Sequence, residues 1–154
     1  RIKKTDLKKM VHNVVMNNKD DLLETGVNLK LGELAQTVVT DAKWLEFILN
    51  QIINNAVKYR REDVEPEIAV WTEKKDYLVL LHVRDNGIGI PQKDIGRIFE
   101  KSFTGENGRK HAKSTGMGLY IAKNLCRKLG HGIGAESVEG EYTDIWIGFE
   151  EEKD

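Results

Sequence analysis

No stretch of this sequence is apolar for long enough to cross a bilayer as a helix, which takes about 20 consecutive apolar residues, and no signal-peptide pattern opens it. Cysteine is nearly absent. The single Cys126 cannot close an internal disulfide, which fits a reducing compartment and predicts a cytosolic domain. Lying among Leu125 and Leu129 in a helical pattern, its thiol reads as core rather than reactive. With two prolines and no Pro/Gly/Ser-rich linker or repeat, nothing divides the 154 residues, a length suited to one domain with a real core. Lys+Arg 24 against Asp+Glu 25 leaves a net charge of -1, so there is no basic surplus for nucleic acid or an anionic membrane surface. Any anion it binds must be held locally. The chain opens at Arg1 without methionine, which predicts a soluble fragment of a longer protein.

What the sequence does contain is an alternation of helical and strand patterns. Ile2 to Thr5 reads as a short strand, after which Asp6 caps a helix with Leu7, Met10, Val11, Val14 and Val15 at helical spacing, ending near Asn17-Asn18. Val27, Leu29 and Leu31 alternate with polar residues as in a half-buried strand, and residues 37–40 form another. Asp41 caps a long helix whose Leu45, Ile48, Leu49, Ile52, Ile53 and Ala56 make an apolar stripe running to Tyr59. Residues 68–72 and 77–84 read as antiparallel strands joined by Lys74-Lys75-Asp76, the second delivering Asp85 at its end. A short helix is expected over 95–99 and a longer one over 117–129, stopped by Gly130. Residues 133–138 and 143–149 close the chain as a hairpin. Between these, residues 101–114 form a long polar connection interrupted at Gly105 and Gly108, the profile of a functional lid. Its Lys101, Arg109, Lys110 and Lys113 are candidates to reach phosphate oxygens.

Three segments carry chemistry. In Asn55-Ala56-Val57-Lys58-Tyr59 helical spacing puts Gln51, Asn55 and Lys58 or Tyr59 on one ridge. Mg2+ prefers oxygen ligands, keeps several waters and bridges phosphates, so a single Asn55 carbonyl oxygen suffices as its protein contact. Lys58 would neutralise phosphate and Tyr59 cover base or ribose; taken alone, the segment reads first as a solvated helix end with Tyr59 closing the core. In Asp85-Asn86-Gly87-Ile88-Gly89-Ile90 a carboxylate leaves an apolar strand beside a glycine turn. Such a group accepts the exocyclic amine of adenine but is left unpaired against the carbonyl of guanine, while Gly87 and Gly89 let backbone approach the ring. By itself Asp-Asn-Gly is ordinary turn chemistry. In Thr115-Gly116-Met117-Gly118-Leu119 two glycines open a helix whose backbone N–H groups can converge on phosphate, or can simply permit close helix packing. Neither a Walker A loop nor a dinucleotide fingerprint is present. Together the three point to a Mg-ATP pocket.

The ordered set Asn-Gln-Ile-Ile-Asn-Asn-Ala-Val-Lys-Tyr (50–59), Asp-Asn-Gly-Ile-Gly-Ile-Pro (85–91), Ile-Phe-Glu-Lys-Ser-Phe-Thr-Gly (98–105) and Ser-Thr-Gly-Met-Gly-Leu-Tyr-Ile (114–121) resembles the catalytic and ATP-binding domain of bacterial sensor histidine kinases, of the GHKL superfamily shared with DNA gyrase, Hsp90 and MutL. Residues 43–51 and 103–109 resemble in particular the intramembrane-sensing kinases associated with responses to antimicrobial peptides. The resemblance implies an α+β fold, a two-layer α/β sandwich of the Bergerat type in which a mixed, mainly antiparallel sheet packs against helices beneath a flexible ATP lid. It implies that Asn55 ligates Mg2+, that Lys58 contacts phosphate and shares the catalytic role with Asn55, that Tyr59 flanks the nucleotide and that Asp85 takes the adenine amine. Gly87, Gly89 and Ile90 shape the slot, Phe99 precedes the lid, Thr115, Gly116, Met117, Gly118 and Leu119 line the phosphates, and Thr143 lies near adenine. Two departures stand out: Tyr142 replaces a glycine before Thr143, and Ser114 replaces the first glycine of the Gly-Thr-Gly-Leu-Gly pattern.

Hydrolytic members of the superfamily resemble one another in carrying glutamate four residues before the magnesium asparagine. Gln51 stands there instead, and an amide cannot deprotonate water. A histidine acceptor already has a lone pair for the γ-phosphate, so positioning and charge neutralisation suffice. His12, His82, His111 and His131 all read as surface or packing residues, which puts the phosphoacceptor histidine elsewhere. The resemblance thus implies, as cofactors and partners, ATP and Mg2+, a separate dimerisation and phosphoacceptor domain of the parent kinase, and a response regulator. It implies no nucleic acid, a monomeric fragment, a homodimeric parent, and a cytoplasmic domain of a bacterial plasma-membrane protein. The alternatives are a serine kinase or anti-sigma factor of the same superfamily and a nucleotide-binding interaction module without transfer.

Overall fold

In the computed structural model, which describes residues 1–104 and 117–151, the described residues form one helical layer on one face of a sheet. The chain opens with β1 (Ile2–Asp6) and runs directly into α1 (Leu7–Asn17), because the Asp6 carboxylate accepts the N–H groups of Lys8 and Lys9 at 2.9 and 3.3 Å. Such a cap is worth about 1 kcal/mol. Leu7, Met10, Val11 and Val14 are the buried stripe of α1. A short α2 (Lys19–Glu24) follows, which the sequence pattern does not reveal because Leu22 is the only buried residue it offers.

β2 (Asn28–Leu31) and β3 (Thr37–Asp41) lie where the alternation places them, but in different sheets. β3 pairs antiparallel with β1 as a two-stranded ribbon, whereas β2 runs parallel to β4 at the edge of the main sheet. α3 (Ala42–Lys58) begins where Asp41 accepts the N–H of Trp44 at 3.0 Å and buries Leu45, Ile48, Leu49, Ile52, Ile53, Ala56 and Val57. The main sheet has the order β2-β4-β5-β7-β6, with β4 (Glu67–Lys75), β5 (Leu78–Asp85), β6 (Gly132–Val138) and β7 (Tyr142–Glu150) all paired antiparallel. Its inner face supplies Ile68, Val70, Val79, Leu81, Val83, Ile145, Ile147 and Phe149 to the core shared with the helices.

Two expected boundaries are corrected. Lys74 and Lys75 are not turn but ladder, opposite Val79 and Leu78, and the reversal falls on Asp76 and Tyr77, with Asp76 at φ 56°, a left-handed conformation that aspartate tolerates. The short helix lies at α4 (Gln92–Ile95), not 95–99: Pro91 starts it by accepting the N–H groups of Asp94 and Ile95, and Gly96 ends it, leaving Ile98 and Phe99 in turns. α5 (Gly118–Leu129) then packs against α3 and stops at Gly130, whose φ of 76° and the bond from His131 N–H to the Cys126 carbonyl at 2.8 Å make a left-handed cap. Residues 105–114 of the expected lid lie outside the described residues.

A cleft between the third helix and the glycine turn

The C-terminal half of α3, the end of β5 and the turn that follows it converge because the main chain binds them together. Ile88 N–H donates to the Tyr59 carbonyl at 3.0 Å, and Gly140 N–H donates to the Ile88 carbonyl at 2.7 Å, so the 86–90 turn is held between the end of α3 and the β6–β7 turn. Arg61 adds a guanidinium bond to the Gly140 carbonyl. These contacts leave no room for side chains. A Cβ on Gly87 would lie 2.5 Å from the Tyr59 carbonyl oxygen and 2.9 Å from Asp85 Oδ1; one on Gly89, which sits at φ 71°, would run into the Val138 carbonyl.

The opening thus framed has about 730 Å3 of empty space, counting its open mouth. Asn55, Tyr59, Asp85, Gly89, Ile90, Leu119 and Thr143, all singled out in the sequence, line it together. Ile52, Ala56, Val83, Ile88 and Ile145 give it apolar walls; Pro91, Asp94, Ile98, Phe103 and Thr104 complete it. Gly87 lies just behind the wall and donates its N–H to Asp85 Oδ1 at 2.9 Å. Lys58 sits with its ammonium 5.4 Å from the Tyr59 ring centre, and Phe99 packs against the core with Lys123 at 5.8 Å, neither of them a wall residue. Gly118 opens α5 against α3, where a Cβ would come to 2.7 Å from Gln51 Oε1; Met117, which precedes it, accepts from Ser102 through its sulfur. Thr115 and Gly116 lie outside the described residues, as does His111. Of the other histidines, His12 is exposed on α1, while His82 and His131 are packing residues, the latter bonded to Thr40 at 2.8 Å and edge-on to Phe149.

Asp85 is the electrostatic centre of the cleft. Burial at the end of β5 pushes its carboxyl up to about 7, and the nearby charge of Asp144 works in the same direction; the N–H groups of Gly87 and Thr143 oppose them. Asp144 is itself buried on the outer face of the sheet, held by His82 Nδ1 and Arg84 at 3.1 Å, with His82 stacked on Trp71. Sequence reasoning missed Ser137, which is buried behind the cleft and joins the glycine turn to β7: its hydroxyl accepts from Ile90 N–H at 2.8 Å and donates to the Tyr142 carbonyl at 2.6 Å. A lone serine on a glycine-rich strand carries no signal of that role. Asp94 was missed as well, because one acid within Gln92-Lys93-Asp94 has the pattern of solvated helix surface.

Chemically, the cleft offers apolar walls with the Asp85 carboxylate and the Thr143 hydroxyl on neighbouring strands, and the Asn55 amide on α3. A purine fits such walls, and the oxygen acceptors suit an amine. Groups of three or more His, Cys, Asp or Glu that could hold a metal ion are absent among the described residues.

Comparisons with known proteins bear on the family and the fold. The sensor histidine kinase YxdK of Bacillus subtilis is 34% identical over 97% of this chain and 46% of its own length. The sensor protein BceS of Halalkalibacterium halodurans is 33% identical over 99% of the chain and 45% of its length. The chain therefore spans less than half of these relatives. Among solved structures, the nucleotide-free catalytic domain of histidine kinase ThkA superimposes with a TM-score of 0.81 at 18% identity, over 98% of this chain and 96% of that one, which shows the same fold. The family described as histidine kinase-, DNA gyrase B- and HSP90-like ATPase matches residues 40–153, and the chain is a member of it.

Proposed function

We propose that this domain binds Mg-ATP in the cleft and donates the γ-phosphate to a histidine on a separate dimerisation domain of a parent sensor kinase, from which a response regulator receives it. The parent is then a homodimer in the bacterial plasma membrane with this domain on the cytoplasmic side. The observation that carries the reading is that Asn55 and Asp85, from segments thirty residues apart in sequence, line one cleft with Thr143. Asp85 accepts the adenine amine, Thr143 lies beside it, Tyr59 flanks the nucleotide, and Gly87, Gly89 and Ile90 shape the slot. Asn55 contributes an oxygen to Mg2+, and Lys58 and the start of α5 at Met117, Gly118 and Leu119 face the phosphates. Phe99 anchors the segment that leads into the lid. Mg2+ when bound neutralises phosphate charge and orients the triphosphate.

Gln51 supports transfer over hydrolysis. Its amide has no basic lone pair with which to deprotonate water, and its Oε1 lies against Gly118, at the first turn of α5. The test is to mix the domain with a separately expressed phosphoacceptor domain and γ-labelled ATP. Label that is acid-labile and base-stable, the signature of phosphohistidine, supports the proposal; serine labelling, or tight ATP binding with no label transferred, overturns it.

A further inference from the structure

Ser137 lies on β6 behind the purine end of the cleft, 3% exposed, and its Oγ has three neighbours. The Tyr142 carbonyl oxygen is at 2.6 Å, Ile90 N at 2.8 Å and Thr143 Oγ1 at 3.0 Å. A hydroxyl has one proton and two lone pairs, so the three contacts determine one another. A carbonyl has no proton, and two oxygens approach to 2.6 Å only with a hydrogen between them; that hydrogen is Ser137's. Ile90 N–H occupies one lone pair. The contact with Thr143 is left to the second, which requires the Thr143 hydroxyl to be the donor.

Thr143 lines the cleft and is the direct cross-strand partner of Asp85. With its hydroxyl proton turned back toward Ser137, and its backbone N–H engaged by the Asp85 carboxylate, it offers the cleft only lone pairs. Ionised Asp85 does the same. Two acceptors on adjacent strands complement an exocyclic amine, which carries two protons, and repel a ring carbonyl in its place. We infer that Ser137 fixes the polarity of the Thr143 hydroxyl and is thereby a specificity-determining positioning residue, making this edge of the cleft select a 6-amino over a 6-oxo purine. This rests on the reading of the cleft as an adenine nucleotide site.

The test is a calorimetric comparison of ADP with IDP, which differs in carrying a 6-carbonyl, in the presence of Mg2+ at pH 8, where Asp85 is ionised. Ser137→Ala frees the Thr143 proton to meet the carbonyl and is expected to lower the ADP-to-IDP preference by about tenfold. Thr143→Val removes the same acceptor directly, leaving Ser137 its bonds to Ile90 N–H and the Tyr142 carbonyl, and lowers the preference comparably. Ser137→Ala added to Thr143→Val then changes it by less than about twofold, the non-additivity expected when one residue acts through the other. Equal losses for both nucleotides in Ser137→Ala, an unchanged preference in Thr143→Val, or a further drop in the double variant each overturns the inference while leaving the adenine reading intact. Wild-type protein that binds neither nucleotide overturns both.

Discussion

The N–H of Ile88 donates to the carbonyl oxygen of Tyr59 at 3.0 Å, which fastens the glycine turn after β5 to the last turn of α3. Through this bond the ridge carrying Asn55 and the strand carrying Asp85 keep a fixed relation, so the cleft between them is a property of the backbone.

Gly87 is where that relation is most vulnerable. Alanine there must displace either the Tyr59 carbonyl or the Asp85 carboxylate. Overpacking of this kind costs about 1–3 kcal/mol, or a melting point lower by several degrees in a domain of this size. Gly87→Ala is expected to show that loss by thermal unfolding and to weaken ADP binding by more than about tenfold. Unchanged values for both contradict the close approach.

In the proposed reading, Asp85 trades stability for recognition. Its carboxyl is raised from 3.8 to about 7, chiefly by burial, so the folded state holds the proton more tightly than the unfolded state does. The fold is favoured below pH 4 in this respect, and that contribution is lost as pH rises through 7. At pH 8 the buried charge is a cost, about 1.4 kcal/mol for every tenfold difference in proton affinity between the folded and unfolded states. Asp85→Asn keeps an oxygen for Gly87 N–H and removes the charge. It is expected to stabilise the empty domain by about 2–4 kcal/mol at pH 8, to have little effect near pH 4, and to lose the preference for adenine. Denaturant unfolding at the two pH values reads the first two effects; destabilisation at pH 8 contradicts them.

Asn55→Ala removes the amide oxygen from the cleft wall and leaves the buried apolar residues of α3, Ile52 and Ala56 beside it included, unchanged. The variant is expected to bind ATP with the same affinity whether or not Mg2+ is present, whereas the wild type gains about tenfold from the metal. Preserved metal dependence assigns the ligand elsewhere.

Cys126 is fully buried on α5, and burial pushes its thiol up to about 12. An aromatic disulfide reagent at pH 8 is expected to leave it unmodified in the native domain and to titrate one thiol in denaturant. Rapid native modification contradicts its place in the core.

Most of this architecture was legible because it is written locally. Asp6 and Asp41 cap helices whose apolar residues recur at helical spacing, and Gly130 stops α5 where a left-handed residue is needed. What was not legible depends on partners remote in sequence. Strands β2 and β3 have equivalent patterns, yet one joins the main sheet and the other the ribbon with β1. The extra length of β4 comes from pairing with β5, which overrides the polarity of Lys74 and Lys75. Among the candidate site residues, Asn55, Asp85 and the glycines stand out only as an ordered set of motifs, while Ser137 acquires its part only when β6, β7 and the glycine turn meet around it.

The most direct test is a calorimetric titration of the wild-type domain with ATP and with GTP, each with and without Mg2+. One saturable site per chain, tightened by Mg2+ and preferring ATP by at least about a hundredfold, is the expected result. Absence of saturable binding, or equal affinity for the two nucleotides, contradicts a purine triphosphate held between Asn55 and Asp85.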